Sequence, residues 1–330
     1  MLNWGLVSTG EMAGNFAEAL RRAEHSRPLA VCSRSGDRAS VFAGAHGIER
    51  AYHGLPALLD DDDIDVVYIA SPHNAHYRQI LAALAAGRHV VCEKPMVLNA
   101  AQAGRCAAAA AERSLFLMEA VWMRFLPAIV ELRRFLETGG IGTPRLVCAG
   151  FCIRVDDAAH RLLNQSFAGG ALLDLGLYPL SLAQMVLGPL SGVAGHAELG
   201  QDGIDVLDTL SVQSSRGGQA SLNCGLQGFA PREATIVGSR GCVRIPEIFF
   251  RPDRFVVDYG TEKEQPRLFP FDGSGYIHEI RHVEECLGEG RLQSPVMPLD
   301  DTINVLSIMD SFRDICGIRY DEEDESLDQT

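Results

Sequence analysis

The side chains able to do chemistry in this 330-residue chain cluster at a few turns that follow apolar runs. The first is Ser8-Thr9-Gly10-Glu11-Met12-Ala13, between the run Trp4 to Val7 and a helical apolar pattern through Met12, Ala13, Phe16, Ala17 and Leu20. A strand, a tight turn and a helix in that order aim free backbone N–H groups and the positive helix end at one spot, which suits a pyrophosphate. The dinucleotide pattern G-x-G-x-x-G/A is met here with serine for its first glycine and alanine for its last. Taken alone the match is weak, because any strand-to-helix turn can carry one glycine.

The second cluster follows Pro28 to Cys32, a buried strand by pattern. Where an acidic residue would hydrogen-bond a ribose 2′-hydroxyl, the chain has Ser33 and Arg34, with Arg38 close behind. These residues suit a 2′-phosphate, so NADP is the expected cofactor, with NAD possible. A solvated pair of arginines four residues apart is the plainer alternative. A third turn, Ser71-Pro72-His73-Asn74-Ala75-His76, follows the apolar run Ile64 to Ala70; Ser71, Pro72 and His76 are expected to line the cofactor crevice. The fourth, Glu93-Lys94-Pro95, follows His89 to Cys92. Adjacent strand residues point to opposite faces, so Glu93 and Lys94 are poorly placed to pair, and Lys94 is placed to hold a positive charge in the crevice.

Two further groups stand in the second half. Gly169 to Leu187 has helical apolar spacing and carries Asp174 and Tyr178, four residues apart and so on one face of a single helix. Pro179 favours a helix start or a kink near Tyr178. His278-Glu279-Ile280-Arg281-His282 matches H-E-x-x-H, which would imply zinc and hydrolysis. No third ligand is evident, so the expected metal content is none.

The elements that position these groups alternate strand and helix up to Leu115–Glu119, the signature of a doubly wound parallel sheet. The pattern changes at Ala120 to Pro127. The predicted fold class is therefore α/β: a doubly wound domain of Rossmann type over 1–121, then a second domain over 122–320 with a large, mostly antiparallel sheet and a last helix near 300–316, the domain to which the resemblance given below assigns substrate binding and dimerisation. Its predicted strands are Arg145–Arg154, Val193–Glu198, Thr209–Ser214, Gln219–Gly225, Ala234–Gly238 and Gly241–Ile245. The acidic stretch 321–330 is expected to be a flexible tail.

A net charge of −14 argues against nucleic acid or anionic membranes as partners. No charge-free apolar run of about 18 residues suggests a membrane span, and no signal peptide is visible. Nine cysteines, without C-x-x-C pairing, fit a reducing, cytoplasmic setting.

On Glu93-Lys94-Pro95, the start WGLVSTGEMA and the run GGALLDLGLYPL, the chain resembles the glucose-fructose oxidoreductase / inositol dehydrogenase / MocA family of NAD(P)-dependent oxidoreductases. Met118 to Phe125, with Asp174 and Tyr178, is most similar to its dimeric dihydrodiol dehydrogenase and xylose dehydrogenase branch. The resemblance implies a small-molecule substrate held between the open sheet and the nicotinamide, and a homodimer or higher homo-oligomer built through that sheet. The implied chemistry is hydride transfer to or from a hydroxyl-bearing carbon of a sugar, polyol or dihydrodiol. Tyr178 is the candidate acid–base group; a phenol with a pKa near 10 needs a cation beside it to act at neutral pH, and Lys94 is the candidate. Asp174 is expected to orient substrate or Lys94, and Trp122 and Arg124 to wall the pocket, although a packed junction explains Trp122 nearly as well. A non-catalytic cofactor sensor is the reading from another class.

Overall fold

A computed structural model of the chain describes residues 1–157, 160–260 and 265–320. The expected acidic tail, 321–330, lies outside the described residues. The chain forms two compact units: Met1–Val97, Ala101–Phe125 and Asp272–Thr302 make the first, and Leu98–Ala100, Leu126–Phe271 and the chain from Ile303 make the second. Residues 272–302, which the sequence reading assigned to the second domain, thus cluster with the first.

The first unit is built on strands β1 (Leu2–Val7), β2 (Ser26–Ser33), β3 (Arg50–His53), β4 (Val66–Ile69), β5 (His89–Glu93) and β6 (Leu117–Ala120). All pairings are parallel, in the order β3-β2-β1-β4-β5-β6. This is the dinucleotide-binding order, with its switch point between β1 and β4. Val66, Val67, Tyr68 and Ile69 of β4 are all buried, because helices cover both faces of such a sheet and its central strands read as unbroken apolar runs. The helices are α1 (Glu11–Leu20), α2 (Gly36–His46), α3 (Leu55–Leu59), α4 (His76–Ala85) and α5 (Ala100–Glu112). Helix α1 turns Ala13, Phe16, Ala17 and Leu20 inward, following its apolar periodicity.

The second unit has α6 (Pro127–Glu137), then β7 (Pro144–Cys152), α7 (Leu177–Leu187), β8 (Leu190–Leu199), β9 (Asp205–Ser214), β10 (Gln219–Gly225), β11 (Ala234–Gly238), β12 (Cys242–Ile245), β13 (Arg254–Asp258) and β14 (Arg267–Leu268). The sheet order is β14-β13-β12-β11-β7-β10-β9-β8. Its pairings are antiparallel except β7 with β10. Strand β9 alternates buried and exposed residues after its first pair; one face is packed and the other open, as antiparallel sheets allow. Helix α7 packs on β7 and β10 from the covered side. The amphipathic segment expected over 275–290 is α8 (Tyr276–Gly288), which packs on α1 within the first unit, and α9 (Leu299–Cys316) closes the described chain.

The segment Gln165–Leu187 is long and apolar enough to cross a membrane by composition even with Asp174 in it, but 89% of its most apolar window is buried inside the protein. Its apolarity is spent on the core of the second unit.

Candidate active site

In a parallel sheet every strand delivers its following turn to the same edge. Ser8–Ala13 after β1, Ser33–Arg38 after β2, Ser71–His76 after β4 and Glu93–Pro95 after β5 all lie there, where α/β sheets bind ligands. Ser8 has φ 116°, a backbone conformation that glycine adopts freely and serine rarely. The strain is offset in part by the Gly10 N–H, which donates to Ser8 Oγ at 3.1 Å. The serine therefore makes the bend that the first glycine of the pattern would make. The first bond inside α1 runs from Gly14 N to the Gly10 carbonyl, and no side chain caps the helix. The N–H groups of Glu11, Met12 and Ala13 are thus available to an anion, as a pyrophosphate requires. Ala13, at the third glycine position, is fully buried, as close helix–sheet packing demands.

At the end of β2, Ser35 rather than Arg38 shapes the turn: its Oγ accepts from the Arg38 N–H at 3.4 Å and caps α2. Arg38 sits inside that helix, not on a turn. Ser33 is half-buried, and the side chains of Arg34 and Arg38 are exposed with no ion pair among the described residues. Beyond β4, Ser71 Oγ donates to Gln79 Oε1 at 2.5 Å, and Pro72 is exposed. His76 is buried, its Nδ1 3.0 Å from the Pro95 carbonyl and its Nε2 2.8 Å from the Ser71 carbonyl. Burial pushes this imidazole down to about 4, with His73 adding to the effect and the carbonyls opposing it. As a neutral ring His76 donates to only one of these two carbonyls and sits in close contact with the other, between the Ser71 and Pro95 turns.

Glu93 ends β5 and Lys94 follows it, its charge acting on the Glu93 carboxylate. Lys94 is half-buried. Glu93 is buried, and its carboxylate accepts from the hydroxyls of Tyr68 and Tyr276. Glu93 is expected among the cofactor-binding residues; its side chain faces the interior of the first unit, 6% exposed. The expectation for Arg124 is corrected. Its guanidinium is 1% exposed, donates to Asp301 at 2.5 Å and to the Val296 carbonyl at 3.3 Å, and so holds the first unit together instead of walling a pocket. Trp122 is nearly buried, its ring 5.9 Å from that of Tyr276.

In the second unit, a π-helical turn at Leu172–Gly176 runs directly into α7. Pro179 has no N–H to give the Leu175 carbonyl, one turn earlier, and the turn that contains Leu175 is widened. One helical element thus carries both Asp174 and Tyr178, as expected, with the irregularity before Tyr178 instead of a helix start. Tyr178 is 6% exposed, with ring centroids 4.9 Å from Phe250 and 5.8 Å from Phe151. Asp174 Oδ1 accepts from Arg161 Nη2 at 3.1 Å. The element begins where Gly170, at φ 132°, leaves room that a Cβ would fill only 2.1 Å from Asp205 Oδ1. Asp205 Oδ2 accepts from the Leu172 N–H at 2.6 Å and anchors that start.

The H-E-x-x-H segment builds no metal site. Glu279 is wholly buried with both oxygens unpartnered, whereas His282 bonds Ser294 Oγ at 2.7 Å. Among the described residues no group of histidines, cysteines and acids can hold a metal ion.

The family model described as "Oxidoreductase family, NAD-binding Rossmann fold" matches residues 2–121, and that of the GFO/IDH/MocA C-terminal domain matches 129–244. The chain belongs to the Gfo/Idh/MocA family of oxidoreductases. Within this family it is 36% identical to bovine (Bos taurus) trans-1,2-dihydrobenzene-1,2-diol dehydrogenase over 98% of its length and 99% of that protein's. It is 35% identical to the human (Homo sapiens) protein of that name, over the same shares. A 3-ketoreductase from Actinomadura kijaniata, solved with NADP and TDP-benzene, superposes with a TM-score of 0.86 at 28% identity, covering 95% of this chain and 97% of that one. An aldose-aldose oxidoreductase from Caulobacter crescentus shares the fold, with a TM-score of 0.84 at 24% identity over 94% and 96%. The Gfo/Idh/MocA chain described here is thus an oxidoreductase with a Rossmann domain for a nicotinamide dinucleotide.

Sequence reasoning missed Tyr68, Tyr276, Glu119 and the buried acids Asp205 and Asp208. Glu119 accepts from the Met96 N–H at 2.9 Å and the Thr302 hydroxyl at 2.8 Å. Burial and the Asp205 charge push Asp208 up to about 9. Glu119 alone carried a local signal, an acid ending an apolar strand, LFLME.

Proposed function

We propose that this oxidoreductase prefers NADP and acts on a hydroxyl-bearing carbon of a trans-dihydrodiol, polyol or sugar. When bound, the nicotinamide takes up or supplies the hydride at its C4. In the oxidative direction the C–H bond leaves as hydride and the O–H bond gives its proton to Tyr178 as the carbonyl forms; reduction reverses both transfers. Lys94 is the cation that favours the phenolate form of Tyr178, and Asp174 orients the substrate hydroxyl. The observation that carries this reading is Tyr178 itself: a phenol set among Phe151 and Phe250, on a helix whose π turn holds Asp174. Such turns recur at functional sites. The names of the curated relatives, trans-dihydrobenzenediol dehydrogenases, support the diol class, and the NADP in the Actinomadura ketoreductase supports the cofactor.

Arg34 and Arg38 supply the preference for a 2′-phosphate. Assembly as a homodimer or larger homo-oligomer would use the open face of the eight-stranded sheet, where Leu207 and Val237 are 41% and 36% exposed. Nine free thiols suit a cytoplasmic setting.

Fluorescence titration with NADPH, followed by an absorbance screen of diols, polyols and sugars, tests the reading; binding without turnover on any of them would favour a sensor. On the best substrate, Tyr178→Phe should lower kcat by roughly tenfold or more, since positioned acid–base catalysis contributes about 10²–10⁴-fold. Its NADPH affinity should stay within about twofold, and unchanged turnover would remove Tyr178 from the mechanism.

A further inference from the structure

Two buried glutamates lie behind the edge that carries the cofactor turns, and the chemistry above uses neither. Glu93 ends β5. Its Oε1 accepts from the Tyr68 hydroxyl at 2.5 Å and from the Tyr276 hydroxyl at 3.0 Å, and its Oε2 accepts from the Lys94 N–H at 3.2 Å. The Tyr276 hydroxyl is also 3.2 Å from Met12 Sδ, in the first turn of α1. Glu279, three residues beyond Tyr276 on α8, is wholly buried, and neither of its oxygens has a hydrogen-bond partner.

Counting donors assigns the charges. An ionised carboxylate can only accept, and three donors from β4, α8 and the Lys94 backbone converge on Glu93. A carboxylate buried without any donor cannot be kept ionised and neutralises instead. Glu279 is that group: burial first, and then the nearby Glu93 charge, push its carboxyl up. Burial raises Glu93 as well, but the two phenols and Lys94 oppose it. Tyr68 is held neutral, its phenol pushed up by burial and then by the Glu93 charge, so it remains a donor.

We propose that Glu93 is a positioning residue whose ionised carboxylate, enclosed by Tyr68, Tyr276 and the Lys94 N–H, fixes the strand end that carries Lys94, while Glu279 stays a neutral acid. The functional half of this rests on the role given to Lys94 above; the charge assignment does not. Glutamine in place of Glu93 keeps the shape but loses the charge: with its NH₂ toward the Lys94 N–H a donor faces a donor, and with its NH₂ toward the phenols both hydroxyls must turn from donating to accepting. Glutamine in place of Glu279 reproduces the neutral acid.

The test uses the full chain. Glu93→Gln should lower kcat by roughly tenfold with KM little changed, the pattern of a lost transition-state arrangement. Glu93→Asp, which keeps the charge on a shorter stem, should recover part of the loss, and Glu279→Gln should stay within about twofold of the wild type. Comparable losses in Glu93→Gln and Glu279→Gln, or wild-type turnover in Glu93→Gln, would overturn the positioning role. Carboxyl ¹³C NMR reads the charges without turnover. A glutamate resonance that is neutral at pH 7 should vanish in Glu279→Gln and persist in Glu93→Gln; its loss in Glu93→Gln instead would overturn the assignment. Absence of turnover by the wild type on every substrate would defeat the proposed reaction, and the NMR measurement would still decide between the two glutamates.

Discussion

Replacement of Ser8 by glycine and by alanine should have different consequences, and the geometry gives the sizes. Holding a non-glycine residue at φ 116° costs about 1–3 kcal/mol. The hydrogen bond from the Gly10 N–H to Ser8 Oγ, 3.1 Å, returns about 0.5–1.5 kcal/mol. Ser8→Ala loses the bond and keeps the strain, so it should destabilise the first unit by about 1 kcal/mol. Ser8→Gly loses the bond and adds about 0.5–1 kcal/mol of unfolded-chain entropy, but relieves the strain. The gain and the losses nearly cancel, and its stability should stay within about 1 kcal/mol of the wild type. Both tryptophans of the chain, Trp4 and Trp122, belong to the first unit. Urea unfolding followed by tryptophan fluorescence therefore reads the right part of the molecule. A glycine variant less stable than the alanine variant would refute the claim that Ser8 carries strain. The same samples titrated with NADPH would show whether the bend seats the pyrophosphate: Ser8→Gly should bind at least as well as the wild type.

Alanine at both Arg34 and Arg38 should weaken NADPH binding by roughly tenfold or more and NADH binding much less, because charge-assisted bonds to phosphate are worth about 1.5–3 kcal/mol; equal losses by fluorescence titration would remove the case for the 2′-phosphate. Asp301→Ala removes the carboxylate that pairs with the Arg124 guanidinium, 1% exposed, and should destabilise the protein in denaturant unfolding by about 1–3 kcal/mol, less than a fully broken buried pair because the Glu119 charge also acts on Arg124; an unchanged unfolding free energy would show that the pair contributes nothing. His76 has a folded pKa pushed down to about 4 from an ordinary 6.5. Its neutral form therefore contributes stability that is fully present above pH 6.5 and is lost as pH falls toward 4, in all about 3 kcal/mol. His76→Gln should flatten the difference in unfolding free energy between pH 7 and pH 4.5, and an unchanged difference would contradict the burial argument.

The parallel sheet was legible because its central strands are unbroken apolar runs, and its turns because each begins where such a run stops. Strands β7 to β12 were legible from alternation. Strand β13, RFVVD, escaped because its apolar core of three residues is flanked by charges, and the two-residue β14 offers no period at all. Lys94, Asp174 and Tyr178 stood out as polar groups in apolar surroundings. Arg124 misled for the same reason: a cation among apolar residues reads equally as a ligand-binding group or as half of a buried ion pair, and Asp301 lies 177 positions away. Burial of Asp205 and Asp208 depends on how β9 meets the start of the π turn at Leu172 and Cys224 of β10, which no local pattern encodes.

The return of residues 272–302 to the first unit sets a schedule for synthesis. When the ribosome has delivered the chain through Phe125, all six strands of the parallel sheet exist, but α8, with Tyr276 and Glu279, does not. At roughly 5–20 residues per second, the missing helix arrives on the order of ten seconds or more later. Throughout that interval the face of α1 that α8 will cover, and the Glu93 carboxylate that awaits the Tyr276 hydroxyl, remain without those partners. The nascent sheet is then a client for any factor that shields apolar surface, and a chain truncated just before Asp272 would leave the nucleotide-binding unit permanently in that state.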